Sequence, residues 1–76
     1  MALSDYTALA DFCEAAGEPM KASYSVRQLA RLLGIDHHVV YDELDGGRLL
    51  AFLPSGRERG VKIRAAEINR WLEESW

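Results

Sequence analysis

Apolar residues recur at helical spacing from the start of the chain. Leu3, Tyr6, Leu9, Ala10, Cys13 and Ala16 fall on one face of a helix over about residues 4–16. Ser4 or Asp5 can cap its start, and Asp5 suits the positive helix end. Gly17 is the expected stop, with Glu18-Pro19 beyond it. Residues 17–24 then read as a linker.

The next element has the clearest signature. Ser25-Val26-Arg27-Gln28 fits a capping box, with the serine taking the amide three residues on and the glutamine reaching back. Tyr24 and Leu29 stand at the spacing of a hydrophobic staple. Val26, Leu29, Ala30 and Leu33 form the apolar face of a short helix, about 26–33, which Gly34 ends. Asp36 is a good N-cap for a further helix through Leu44 or Asp45, with Val39, Val40 and Leu44 as its apolar stripe. Gly46-Gly47 closes it. Two short helices joined only by Gly34-Ile35-Asp36 have helix-turn-helix geometry.

The pattern then changes period. Arg48-Leu49-Leu50-Ala51-Phe52-Leu53 reads as a strand, and Val61-Lys62-Ile63-Arg64 alternates like a half-buried one. Residues 54–60 form a charged turn between them, giving a β-hairpin with a basic tip. A last helix over about 65–75 places Ile68, Trp71 and Leu72 on one face, with Trp76 at its end. The predicted class is mainly α with a small β-hairpin, one compact domain overall.

Composition sets limits on this. Seventy-six residues allow one domain with little room for a deep active-site pocket. The single cysteine, Cys13, excludes an internal disulfide framework and a CxxC-type zinc site, and is expected to be a buried thiol. No apolar run reaches the length of a membrane span, and the N-terminus lacks the pattern of a signal peptide. A reducing, cytoplasmic setting is the expectation. No glycine-rich phosphate loop and no Ser/His/Asp arrangement is visible, so no enzyme activity is expected and no cofactor.

The net charge of −3 argues at first against nucleic acid, but it is segmented. Asp36, Asp42, Glu43 and Asp45 make residues 35–47 strongly acidic. Arg48, Arg57, Arg59, Lys62 and Arg64 against Glu58 make residues 48–64 strongly basic. Arg27 and Arg31 add positive charge to the first helix of the pair.

At the residue level the stretch from Tyr24 to Leu72 resembles the excisionase/MerR-like family of winged helix-turn-helix DNA-binding domains. The resemblance is carried by Tyr24-Ser25-Val26-Arg27-Gln28-Leu29-Ala30-Arg31-Leu32-Leu33-Gly34-Ile35, then Val40-Tyr41. It continues in the glycine pair before Arg48-Leu49, in Val61-Lys62-Ile63-Arg64, and in Ile68-Asn69-Arg70-Trp71-Leu72. It implies a division into an N-terminal helix and linker, 1–23, and a winged domain, 24–76. It also implies that residues 36–45 enter the major groove and that the wing, 54–60, enters the minor groove. Members of the family are recombination directionality factors of phages and plasmids, small bacterial regulators and small-terminase DNA-binding domains. Several assemble head to tail on DNA. The family usually carries small polar and basic residues where this chain has four acids.

Candidate contacts follow. Arg57 and Arg59 at the hairpin tip suit a narrow minor groove, which attracts arginine. Arg48, Lys62 and Arg64 can hold phosphates, which positions a protein without specifying sequence. Arg27 and Arg31 share a helix face, and Ser25 and Gln28 sit at a helix start able to receive a phosphate. His37, His38 and Tyr41 lie in the first turns of the recognition helix, where base edges are read. The plain alternatives are a solvated helix face for the arginines, a solvated strand face for Lys62 and Arg64, and packing under the wing for one of the aromatic trio. His38 and Asp42, four apart, make only two ligands toward a metal.

The expected function is sequence-selective binding of double-stranded DNA, in excision control or transcription regulation. An integrase is then an expected partner. Self-association is expected on DNA, helped by the complementary acidic helix and basic hairpin, or through the N-terminal helix. The rival is a protein-interaction module that uses the acidic helix. A third reading is the DNA-recognition domain of a small terminase.

Overall fold

The computed structural model describes residues 6–53 and 60–75. Its elements are α1 (Thr7–Ala16), β1 (Ser23–Ser25), α2 (Val26–Leu33), α3 (His37–Asp45), β2 (Lys62–Arg64) and α4 (Ala65–Ser75). The fold is mainly α with a small antiparallel sheet, as the pattern implies. No helix among the described residues is long and apolar enough to cross a membrane.

The helix pair forms as its caps dictate. The Ser25 hydroxyl accepts the Gln28 N–H at 3.1 Å, and the Gln28 side-chain oxygen accepts the Ser25 N–H at 2.9 Å. Tyr24 and Leu29, the staple pair, are both buried. Gly34 ends α2 in the left-handed region, φ 71°, where a side chain would be strained. The Ile35 N–H returns to the Ala30 carbonyl at 3.0 Å, which turns the chain toward α3. Asp36 caps α3 through the His38 N–H at 2.8 Å. Of the expected stripe on α3, Val40 is fully buried and Leu44 packs against the core. Val39 does not join them: it is 42% exposed. A helix turns about 100° per residue, so adjacent Val39 and Val40 cannot both face inward across a narrow contact.

Three further expectations are corrected. The first helix begins at Thr7, with Tyr6 in the cap position and no side-chain cap of its own. Ser4, Asp5 and Trp76 lie outside the described residues. The expected linker contains a strand: Ser23–Ser25 pairs antiparallel with Lys62–Arg64, with Tyr24 opposite Ile63. The expected strand over 48–53 shrinks to one bridge, Phe52 with Lys62, closed by two backbone hydrogen bonds of 2.8 Å. Backbone donors upstream have other partners. The N–H groups of Arg48 and Leu49 return to the Glu43 carbonyl, and the Leu50 N–H goes to the Glu67 carboxylate at 2.9 Å. Leu49 is buried, whereas Leu50 and Leu53 stay exposed.

One core joins all the helices. Leu9, Leu29, Val40, Leu49, Ile63, Ile68 and Trp71 are its most deeply buried side chains. Leu9 and Cys13 put the apolar face of α1 into this core, against α4 and α2. Leu9 and Cys13 are thereby covered within their own chain. The Cys13 thiol lies 3.4 Å from the Tyr24 hydroxyl, and burial pushes the Tyr24 phenol up to about 12.

Candidate nucleic-acid interface

The start of α2, the exposed side of α3 and the base of the wing meet at one cleft. It holds about 300 Å³ and is lined by Ser25, Val26, Arg27, Tyr41, Gly60 and Val61. The α2 start supplies the Arg27 guanidinium and a helix N-terminus, α3 supplies the Tyr41 phenol, and Gly60 and Val61 form the third wall. Helix N-termini and arginines both favour phosphate oxygens. The capping box uses the Ser25 hydroxyl and Gln28 side-chain oxygens as acceptors, so it holds this helix start in shape and leaves the Ser25 O–H and the Gln28 amide N–H able to donate.

α3 presents the adjoining surface. His37 is half-buried and meets Tyr41 edge-on, with ring centroids 6.1 Å apart. His38 is exposed, and its Nδ1 lies 2.9 Å from Asp36 Oδ1. Tyr41 is exposed and reaches the cleft. The expected trio is therefore together, on the first turns of the helix. Val39, read from the sequence as a core residue, is exposed as well, on a different side of the helix from Tyr41.

The four acids of this segment separate by function. Asp36 is the cap, and the His38 N–H it accepts holds its carboxyl below the usual range. Glu43 is turned toward α4: it accepts the Trp71 indole N–H at 3.0 Å and pairs with the Arg48 guanidinium. Arg48, and then Trp71, keep its carboxyl below the usual range. Asp42 and Asp45 are exposed. Half of the acidity that seemed to oppose DNA is engaged in building the helix.

The cations divide as well. Arg27 lines the cleft beside Tyr41. Arg31, one turn further along α2, lines a second cleft of about 310 Å³ with Gln28, Tyr24, Glu18 and Lys21. Lys21 has no periodic signature in the sequence; only the turn of the chain into β1 brings it beside Arg31. Arg48, expected on phosphate, instead folds back onto Glu43 and the Asp42 carbonyl. Arg64 lies over the Phe52 ring, 4.9 Å from its centroid, on the outer side of the sheet. Lys62 is half-buried between β1 and Phe52. Arg57 and Arg59 lie outside the described residues.

Asp36, His37 and His38 bring one donor atom each within 4.8 Å of one another. His38 thus faces Asp36 rather than Asp42. The cluster is explained by the cap: Asp36 Oδ1 serves the helix N–H, and the positive helix end disfavours a cation there.

Searches of curated proteins and of solved structures each returned no match. A family model, described as a helix-turn-helix domain, matches residues 23–75. The match begins at β1 and ends with α4, and so contains the helix pair, the cleft and the closing helix, well over half of the chain. On that span the chain belongs to the helix-turn-helix domain family.

Proposed function

We propose that this chain is a sequence-selective binder of double-stranded DNA of the excisionase/MerR-like winged type. The observation that carries the reading is the convergence of the α2 start, Arg27, Tyr41 and the wing base on one cleft. A phosphate seated there would set the register in which α3 meets the major groove. Arg27 in the cleft and Arg31 one turn further along α2 provide positive charge for the phosphate backbone. The role is architectural or regulatory rather than catalytic: excision control beside an integrase, or control of a few promoters.

A salt titration tests it. Binding of a fluorescent duplex should weaken linearly on log axes, with a slope of roughly −4 to −5 for about four to six phosphate contacts. Failure to retard any duplex at low salt would remove this reading. The exposed carboxylates of Asp42 and Asp45 would then favour the protein-interaction module, with a basic surface as partner.

A further inference from the structure

The outward face of α3 carries chemistry that a phosphate-binding surface would not choose. We propose that Asp42 and Val39 read bases, Asp42 taking a cytosine and Val39 an adjacent thymine. This rests on the DNA-binding reading above.

Exposure defines the face. Val40 is fully buried, and His37, Glu43 and Leu44 are half-buried; His38, Val39, Asp42 and Asp45 look away from the core. Val39 and Asp42 are three residues apart and His38 and Asp42 four apart, so they are neighbours on this face. The Asp42 side chain has no hydrogen-bond or ion-pair partner among the described residues, whereas Asp36 caps the helix and Glu43 is tied to Arg48 and Trp71. Arg48 comes close but takes only the Asp42 backbone carbonyl, leaving the carboxylate outward. Val39 is the exposed aliphatic residue of α3 among the described residues, 42% exposed beside a polar row.

The groove floor narrows what such a pair can accept. An ionised carboxylate only accepts hydrogen bonds. Guanine shows two acceptors in the major groove, and thymine one acceptor and a methyl. Adenine shows a donor beside an acceptor. Cytosine shows an amino donor with no acceptor of its own next to it. Cytosine is thus the base edge that attracts Asp42 most and repels it least. The thymine methyl is the one aliphatic group on the floor, and it matches the Val39 methyls. Side chains three apart on a helix stand about 5–6 Å apart, and bases along a strand step by about 3.4 Å. The cytosine and thymine should therefore lie within one or two steps of each other. On any other sequence, a bare carboxylate close to phosphates weakens binding, which makes the acid a device of selectivity.

The test is selection from a random duplex library at low salt with the wild-type chain, Asp42→Asn and Val39→Ala. Thermal melting would confirm that each variant folds. The wild type should enrich a site with C and T so spaced. Asn pairs with adenine through both its donor and its acceptor. Asp42→Asn should therefore move the preference at one position from C to A, by roughly tenfold, and leave the other positions unchanged. Replacing the thymine by uracil removes its methyl, and should weaken the wild type about fourfold but not Val39→Ala. If Asp42→Asn instead tightens all duplexes alike with the same ranking, the carboxylate only repels and the inference fails. It fails too if uracil is tolerated. A wild type that retains no duplex at all overturns the broader DNA-binding reading, and this one with it.

Discussion

The side-chain oxygen of Asn69, in the middle of α4, accepts the backbone N–H of Leu9 at 3.0 Å across the core. Leu9 is the third residue of a helix whose own cap residue supplies no side-chain bond. The first turn of a helix leaves N–H groups without partners, and here α4 satisfies one of them from sixty residues away. The Asn69 amide nitrogen is held in turn by Glu73 at 3.0 Å. This bond fixes α1 as part of the structural unit that presents α3.

Replacing Asn69 by Leu leaves the Leu9 N–H buried without an acceptor. The expected loss is about 1–3 kcal/mol, read as a lower urea midpoint. Hydrogen exchange at Leu9 should accelerate more than exchange within α2. An unchanged midpoint would mean that α1 is held by apolar packing alone.

Ser25→Ala removes the acceptor from the α2 cap while leaving Gln28 in place. About 1 kcal/mol of stability should go with it. If the hydroxyl serves the helix alone, DNA affinity falls only as far as folding does, although its O–H donor is left over by the cap. A large drop in affinity with normal stability would instead place the hydroxyl on phosphate.

Glu43 couples α3 to α4 through Trp71, and its carboxyl is lowered by Arg48 and then by Trp71. The unfolded chain therefore binds a proton at higher pH than the folded one. Stabilisation by Glu43 is complete above the ordinary carboxyl range and is lost as pH falls through the lower folded value. Urea midpoints followed downward in pH should drop more steeply for the wild type than for Glu43→Gln. Some slope must remain, because the carboxyls of Asp36 and Glu67 are also lowered. Equal slopes would show that the Arg48 pair and the indole bond do not favour the ionised form.

Arg27 and Arg48 should separate cleanly. Arg27 lines the cleft, so Arg27→Ala should reduce the salt slope of duplex binding by about one. Arg48 is bound to Glu43, so Arg48→Ala should lower stability and leave the slope alone. The reverse result would require Arg48 to leave Glu43 when DNA binds.

The local signals were legible because they act over three or four residues. A capping box, a staple and a left-handed glycine need only their own neighbours, so the short helix from Val26 to Leu33 could be placed without a fold. The final helix was equally plain, since Ile68, Trp71 and Leu72 recur at its period. The resemblance running from Tyr24 to Leu72 then pointed to the helix-turn-helix family, which the match over residues 23–75 shows.

Pairing across the chain was not legible. Ser23–Ser25 carries no strand pattern, and it is extended because the edge of Lys62–Arg64 lies beside it. Val39 and Val40 have the same hydropathy, and only the line of contact between α2 and α3 decides which is inside. Charge behaves similarly: the row of acids from Asp36 to Asp45 looks uniform in sequence. The structure divides it, because Trp71 and Arg48 take Glu43 while Asp42 is left facing out. Sequence alone determined the helix pair, its caps and the family. Tertiary structure decided which polar groups find partners inside the protein, because a hydrogen bond needs both ends in place and the second end came from elsewhere in the chain.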